Sequence, residues 1–239
     1  GLTVKNCVFL GLNEGVYANN SNGSSFYNNT FRNLGNYAIG LWNANYSNAS
    51  YSYAENVSMG FVGVNWQNNL LFKNTVFNAS SVGMGFGDDS DYNNFSYNNV
   101  SYLNRYLNSQ PGVYGPAIGI SSTTDSGSRH GNASFNVFHD NYLYENGLAF
   151  TIQSVVVAPA QPVTANHSYN EFYNNTILSS VTAFQLAFMP GLAGEVSSHN
   201  RFYQNTVGGA TDCIRLDAPN ATSNWFYHNN FSGCSQWFV

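Results

Sequence analysis

The sequence predicts an all-β chain wound as a parallel β-solenoid, and three observations predict it. One motif, Asn-x-aromatic/Leu-x-x-Asn-x-aliphatic/Phe, returns along the whole chain. Short alternating apolar pairs follow it, and no segment offers the sustained i, i+3, i+4, i+7 apolar stripe of a helix. The motif stands at 69–76 and 93–100, recurs at 136–143, 170–177, 200–207 and 224–231, and has Ser for its first Asn at 24–31. Weaker copies surround Asn56 and Asn6. The second Asn thus falls at 6, 29, 56, 74, 98, 141, 175, 205 and 229, which divides the 239 residues into about nine coils of one domain, 1–239.

The strands follow from the apolar pairs. Ile39/Leu41, Met84/Phe86, Phe150/Ile152, Phe184/Leu186 and Ile214/Leu216 lie about nine or ten residues after a motif Asn, and Val62/Val64 and Ile118/Ile120 keep the pair at other distances. Alternation with a period of two is the mark of a half-buried strand. Gly and Asn turns between such pieces, repeating every 23 to 30 residues in most of the chain, fit three short strands per coil.

The repeated Asn has a mechanical reason. Stacked coils place equivalent side chains about 4.8 Å apart, so each amide can donate its NH₂ to the oxygen of the next. The expected ladder is Asn29, Asn74, Asn98, Asn141, Asn175, Asn205 and Asn229, with Asn56 in the same inward row. Asn also tolerates the left-handed backbone of a tight corner. Phe26, Leu71, Phe95, Phe138, Phe172, Phe202 and Phe226 are then expected inside as a continuous core column. Tyr27, Phe72, Tyr173, Tyr203 and Tyr227 are expected outside, either simply stacked along the axis or as a platform for sugar rings.

Composition narrows the function classes. Charged residues make up 8% of the chain, against roughly 25% in an average soluble domain. Seven scattered Lys and Arg cannot neutralise a nucleic-acid backbone. No run approaches the ~20 apolar residues of a membrane-spanning helix, and the first residues do not read as a signal peptide, so any export signal lies outside this chain. The surface is built instead from amides and hydroxyls. There are 38 Asn and fourteen Asn-x-Ser/Thr triplets, where roughly six are expected by chance for the acceptor pattern. Glycosylation is expected at the triplets that fall between motifs or in turns: Asn19, Asn22, Asn45, Asn48, Asn78, Asn132, Asn166 and Asn220. Asn56, as a ladder member, is expected to stay bare.

On these repeats the chain resembles right-handed parallel β-helix proteins of the pectate-lyase-like superfamily, especially those with NosD-like repeats. The resemblance implies a right-handed coil. It does not choose a function, because that superfamily includes lyases, glycosidases, tailspikes, adhesins and surface proteins. The abundance of Asn, Ser, Thr and Tyr, with dense acceptor triplets and few charges, is also similar to archaeal cell-surface proteins.

No catalytic residues are assigned. The polygalacturonase branch uses Asn-Thr-Asp, Asp-Asp, His-Gly and Arg-Ile-Lys signatures; here Asp88-Asp89 and His130-Gly131 are present, Asn-Thr-Asp is absent, and Cys213-Ile214-Arg215-Leu216 departs from the last. Asp88, Asp89 and Asp91 read as a solvated acidic turn or, as oxygen ligands, a Ca²⁺ site; no other cofactor is expected. Cys213 and Cys234, about one coil apart, can pair in an oxidising compartment, leaving Cys7 alone.

Insertions at 105–116, 121–131, 153–168 and 187–199 leave successive coils and are expected to neighbour one another as a ridge or groove. The expected function is an extracellular or cell-surface structural or adhesive protein (a filament, sheath or surface-layer component), glycosylated and partnered by its own copies or by neighbouring segments of a longer chain. The alternative is a carbohydrate-active lyase or hydrolase, or a sugar-binding module. Neither end shows a capping element, so the chain is expected to be a segment of a longer protein or a subunit stacked through its ends.

Overall fold

A computed structural model describes residues 1–103, 115–124, 131–156, 165–188, 196–217 and 220–239. The four expected insertions lie largely outside the described residues. All regular structure among the described residues is β, and every strand pair is parallel. Among the described residues no helix is long and apolar enough to cross a membrane.

Each coil contributes to three faces. Among the described residues the narrow sheet has nine strands, each of three residues: Thr3–Lys5, Ser25–Tyr27, Asn48–Ser50, Leu70–Phe72, Asn94–Ser96, Val137–His139, Glu171–Tyr173, Arg201–Tyr203 and Trp225–Tyr227. A second series of short strands, such as Thr75–Phe77, Asn99–Ser101 and Tyr142–Tyr144, follows a corner two residues later. The third, wide face carries longer strands, among them Val82–Gly87, Pro116–Thr124, Leu148–Val156 and Thr182–Phe188. The two long strands Thr30–Trp42 and Tyr53–Val64 run through both faces and join them into one sheet of sixteen strands among the described residues.

The middle residue of each narrow strand points inward. Phe26, Leu71, Phe95, Phe138, Phe172 and Phe202 are buried, and Phe226 packs on them partly covered. From Phe138 on the rings are parallel: 4.5 Å to Phe172, 4.7 Å on to Phe202 and 4.3 Å on to Phe226. The wide face closes the core with Ile39, Met84, Ile118, Phe150, Phe184 and Ile214.

Two inward amide ladders flank the narrow sheet. One runs through the second motif Asn. Asn98 Oδ1 accepts the backbone N–H of Asn74 at 3.0 Å and its Nδ2 at 3.2 Å, while Asn98 Nδ2 donates to Leu71 O and to Asn141 Oδ1. Four bonds meet the amide's main donor and acceptor capacity, so a buried polar side chain carries no desolvation debt. The other runs through the first motif Asn, from Asn69 to Asn93, Asn136, Asn170, Asn200 and Asn224, with Nδ2 to Oδ1 distances of 2.9–3.1 Å.

The early register differs from the expectation. Asn56 is exposed and its Nδ2 donates outward to Asn33 Oδ1; Ser52 holds the inward place, its Oγ accepting the N–H of Asn29. Asn6 likewise sits at an exposed corner, and Cys7 takes the ladder place. With Cys7 and Ser52 in the row, successive separations become 22, 23, 22 and 24 residues, because a small side chain can replace Asn where its N–H still reaches the next amide. Val62 and Val64 face outward in the same way. Phe61 and Gly63 point in, since Phe61 is in register between Ile39 and Met84. Leu216, the second residue of its expected pair, is exposed.

Candidate functional site

The narrow sheet turns its first and third residues outward, and corner residues with positive φ border it on both sides. Tyr46, Tyr92, Phe135 and Tyr169 occupy one corner, with φ of 56–60°. Bulky residues pay about 1–2 kcal/mol for that conformation. Stacking offsets it: Tyr92, Phe135, Tyr169 and His199 lie 5.0–5.2 Å apart with planes within 16°.

A second ring column runs along the opposite border. It passes from Tyr27 through Tyr51, Phe72, Tyr97, His139, Tyr173 and Tyr203 to Tyr227, with neighbouring centroids 5.0–5.9 Å apart. The column crosses strand register at Tyr51 and Tyr97, which stand in for the small Ser50 and Ser96 one residue earlier. From His139 onward the rings are parallel, so each face is covered by its neighbour and the edges and hydroxyls meet solvent.

Polar groups sit between and beside these columns. Glu171 Oε1 pairs with Arg201 Nη1 at 3.4 Å, and the Tyr203 hydroxyl donates to Glu171 Oε2 at 3.3 Å. Arg201 also lies over Trp225, 5.5 Å from the ring centre. His139 Nδ1 meets Asp140 Oδ2 at 2.6 Å, and Asn174 Nδ2 donates to the other oxygen of Asp140. Burial and then the negative charge of Glu171 push the Tyr203 hydroxyl up to about 12; burial followed by Asp140 and Glu171 raises Tyr173. Both phenols therefore remain protonated donors across the physiological range.

The wide face holds a smaller polar network. Arg215 Nε pairs with Asp217 Oδ2 at 2.6 Å, and Gln185 Nε2 donates to the same oxygen at 3.1 Å. Asp212 stands 3.9 Å from Arg215 Nη1.

The acidic turn serves the fold. Asp91 Oδ1 accepts the N–H of Ser134 at 2.6 Å, Asp89 Oδ1 that of Asn132, and Asp88 is buried. Burial raises the Asp91 carboxyl above its ordinary range, the Ser134 N–H partly opposing it. Among the described residues no three His, Cys, Asp or Glu side chains gather to hold a metal ion. His130 lies outside the described residues.

The remaining sequence-derived positions are dispersed. Asn19, Asn22, Asn78, Asn132, Asn166 and Asn220 are exposed, and Asn45 and Asn48 are half-buried. Cys213 and Cys234 are joined by a disulfide with Cα atoms 5.8 Å apart, and Cys7 is exposed. Sequence reasoning missed the ladder of first-motif asparagines and the corner column of Tyr92, Phe135 and Tyr169. The signal for the latter was present, as an aromatic one residue before the first motif Asn in three copies.

Comparison with known proteins agrees with this architecture. The family model for the right-handed β-helix region matches residues 1–151. The polygalacturonase from Erwinia carotovora is similar in fold, with a TM-score of 0.63 at 9% identity over 93% of this chain and 59% of that one. The Thermotoga maritima exopolygalacturonase gives 0.62 at 10% identity over 82% and 44%. An alginate lyase from Paenibacillus gives 0.50 at 15% identity over 96% and 91%. The chain spans about half the length of the two polygalacturonases. No curated protein sequence matches it. The chain belongs to the right-handed β-helix family.

Proposed function

We propose that this β-helix binds a polysaccharide along the outward face of its narrow sheet. The observation that carries the reading is the column from His139 through Tyr173 and Tyr203 to Tyr227. Its rings are immobilised by stacking, so polar edges recur once per coil at almost no entropic cost on binding. A ligand that repeats its own hydroxyls suits such a surface, and Glu171 and Arg201 in the row between add an acceptor and a donor. The solved β-helices with this fold include polygalacturonases, an alginate lyase and an α-1,3-glucanase, which supports a carbohydrate ligand over a purely structural role. An extracellular location fits a polysaccharide ligand and the disulfide between Cys213 and Cys234.

The test is affinity electrophoresis through gels containing polygalacturonate, alginate or soluble α-glucan. Retardation of the wild type, weakened in Tyr203→Phe and Arg201→Gln, is expected. A folded wild type that migrates unretarded in every gel overturns the reading.

A further inference from the structure

We infer that the notch between Tyr46 and Tyr92 is a saccharide subsite that seats one pyranose ring over Asn68 and Leu70. The inference rests on the reading of this face as carbohydrate-binding and gives it a location.

The notch is a gap in a ring column. Tyr46, Asn68, Tyr92 and Phe135 occupy the same corner of four successive coils: the N–H of Tyr46 donates to Gln67 O, that of Asn68 to Asp91 O and that of Tyr92 to Ser134 O. All four share φ of 56–60°. Tyr92 is stacked on Phe135 at 5.1 Å with planes 6° apart, so its other face looks along the axis toward the coil of Asn68, which has no ring there. Beyond it stands Tyr46, on which no ring stacks among the described residues; it is 69% exposed and Tyr92 57%.

Two coil rises separate these tyrosines, about 10 Å. A six-membered ring entering midway lies about 5 Å from each, the distance at which aromatic faces already attract.

The floor matches the same ligand. Leu70 is half-buried in the narrow strand beside Asn68, with Asn48 and Asn94 in register on its two sides. Asn48 Oδ1 and Asn94 Oδ1 are shielded from water and make no hydrogen bond. Neither amide is anchored through its oxygen, so each can turn toward a ligand without breaking a bond, and a partner there removes the cost of an unpaired acceptor.

A pyranose has two faces of C–H bonds and a rim of hydroxyls. The two faces suit Tyr46 and Tyr92, Leu70 lies beneath the ring's edge, and the rim hydroxyls suit Asn48, Asn68 and Asn94. A flat apolar ligand would leave the amides unpaired. Asn48 also begins an acceptor triplet, and a glycan attached there would occupy the notch, so the test uses unglycosylated protein.

Asn68→Tyr supplies the missing ring and fills the gap; the corner accepts Tyr, as positions 46 and 92 show. Titration calorimetry with oligosaccharides of galacturonate, of alginate and of α-1,3-linked glucose should find at least one that binds the wild type. For it, Asn68→Tyr is expected to lose tenfold or more in affinity with an unchanged or higher Tm. The surface variant Tyr46→Ala should lose affinity too, without touching the core. Wild-type affinity in both variants, while Tyr203→Phe weakens binding, overturns the notch and leaves the face reading intact. A wild type that binds none of the three overturns both.

Discussion

Asn98 and Asn141, 43 residues apart in the chain, meet at a single oxygen: the backbone N–H and the Nδ2 of Asn98 both end on Asn141 Oδ1, at 3.0 and 3.1 Å. The same pair of bonds links Asn74 to Asn98 across 24 residues. Whatever a coil adds between its strands, the ladder returns to one register. The amide thus measures the coil, and insertions are accommodated because only corner geometry and the inward rows must be kept.

Replacing Asn175 by Leu tests the ladder. Asn175 Oδ1 accepts two bonds from Asn141, and its Nδ2 donates to Phe138 O and Asn205 Oδ1. Loss of several buried partners should cost about 3 kcal/mol or more, read as a lowered denaturation midpoint. Asn56→Gly, on the exposed outer stack and compatible with the positive φ of that corner, should change stability by less than about 0.5 kcal/mol. Equal effects would refute the inward assignment.

Acid stability should depend on His167. Burial lowers this imidazole from 6.5 to about 4. Unfolded chains protonate it first, so between those values the unfolded state binds more protons; stability is full above pH 6.5 and falls as pH drops toward 4. The loss is on the order of 3 kcal/mol. In Tm against pH, His167→Gln should flatten this limb. A limb of unchanged slope would assign the acid sensitivity elsewhere.

Reduction should loosen the last coil first. The disulfide between Cys213 and Cys234 closes a loop of 21 residues, a constraint typically worth 2–4 kcal/mol. Hydrogen exchange after reduction should accelerate over 225–238 before 136–177. Uniform acceleration would show that the bond supports the whole helix rather than its end.

Glycan occupancy should follow the amide bonding. Asn22, Asn45 and Asn132 accept backbone N–H groups through Oδ1, at 2.8, 2.9 and 3.2 Å, and no bond among the described residues engages their Nδ2. Asn56 Nδ2 is committed to Asn33. Expression in a glycosylating host and peptide mass spectrometry should find more sugar on the first three than on Asn56. The reverse order would contradict this.

The coil was legible wherever both motif asparagines are present, as at Asn69/Asn74 and Asn170/Asn175. It was misread where Ser or Cys stands in, at Cys7 and Ser52, because a hydroxyl or thiol leaves no pattern to count while an exposed corner Asn such as Asn6 or Asn56 mimics one. Inward and outward sides were readable from Phe172 and Tyr173 by strand alternation alone. The notch was not readable, since it depends on which corner residues align across coils, and Tyr46, Asn68 and Tyr92 become one column only once Ser47 is known to stand in register with Asn69.

The most direct test of a polysaccharide-binding narrow sheet is a crystal structure with a bound oligosaccharide that retards the wild type. Sugar density on the outward face, along Tyr46 to Tyr92 and the column from His139 to Tyr227, is the predicted result. Density on the wide face around Gln185, Arg215 and Asp217, with the narrow face bare, would contradict it.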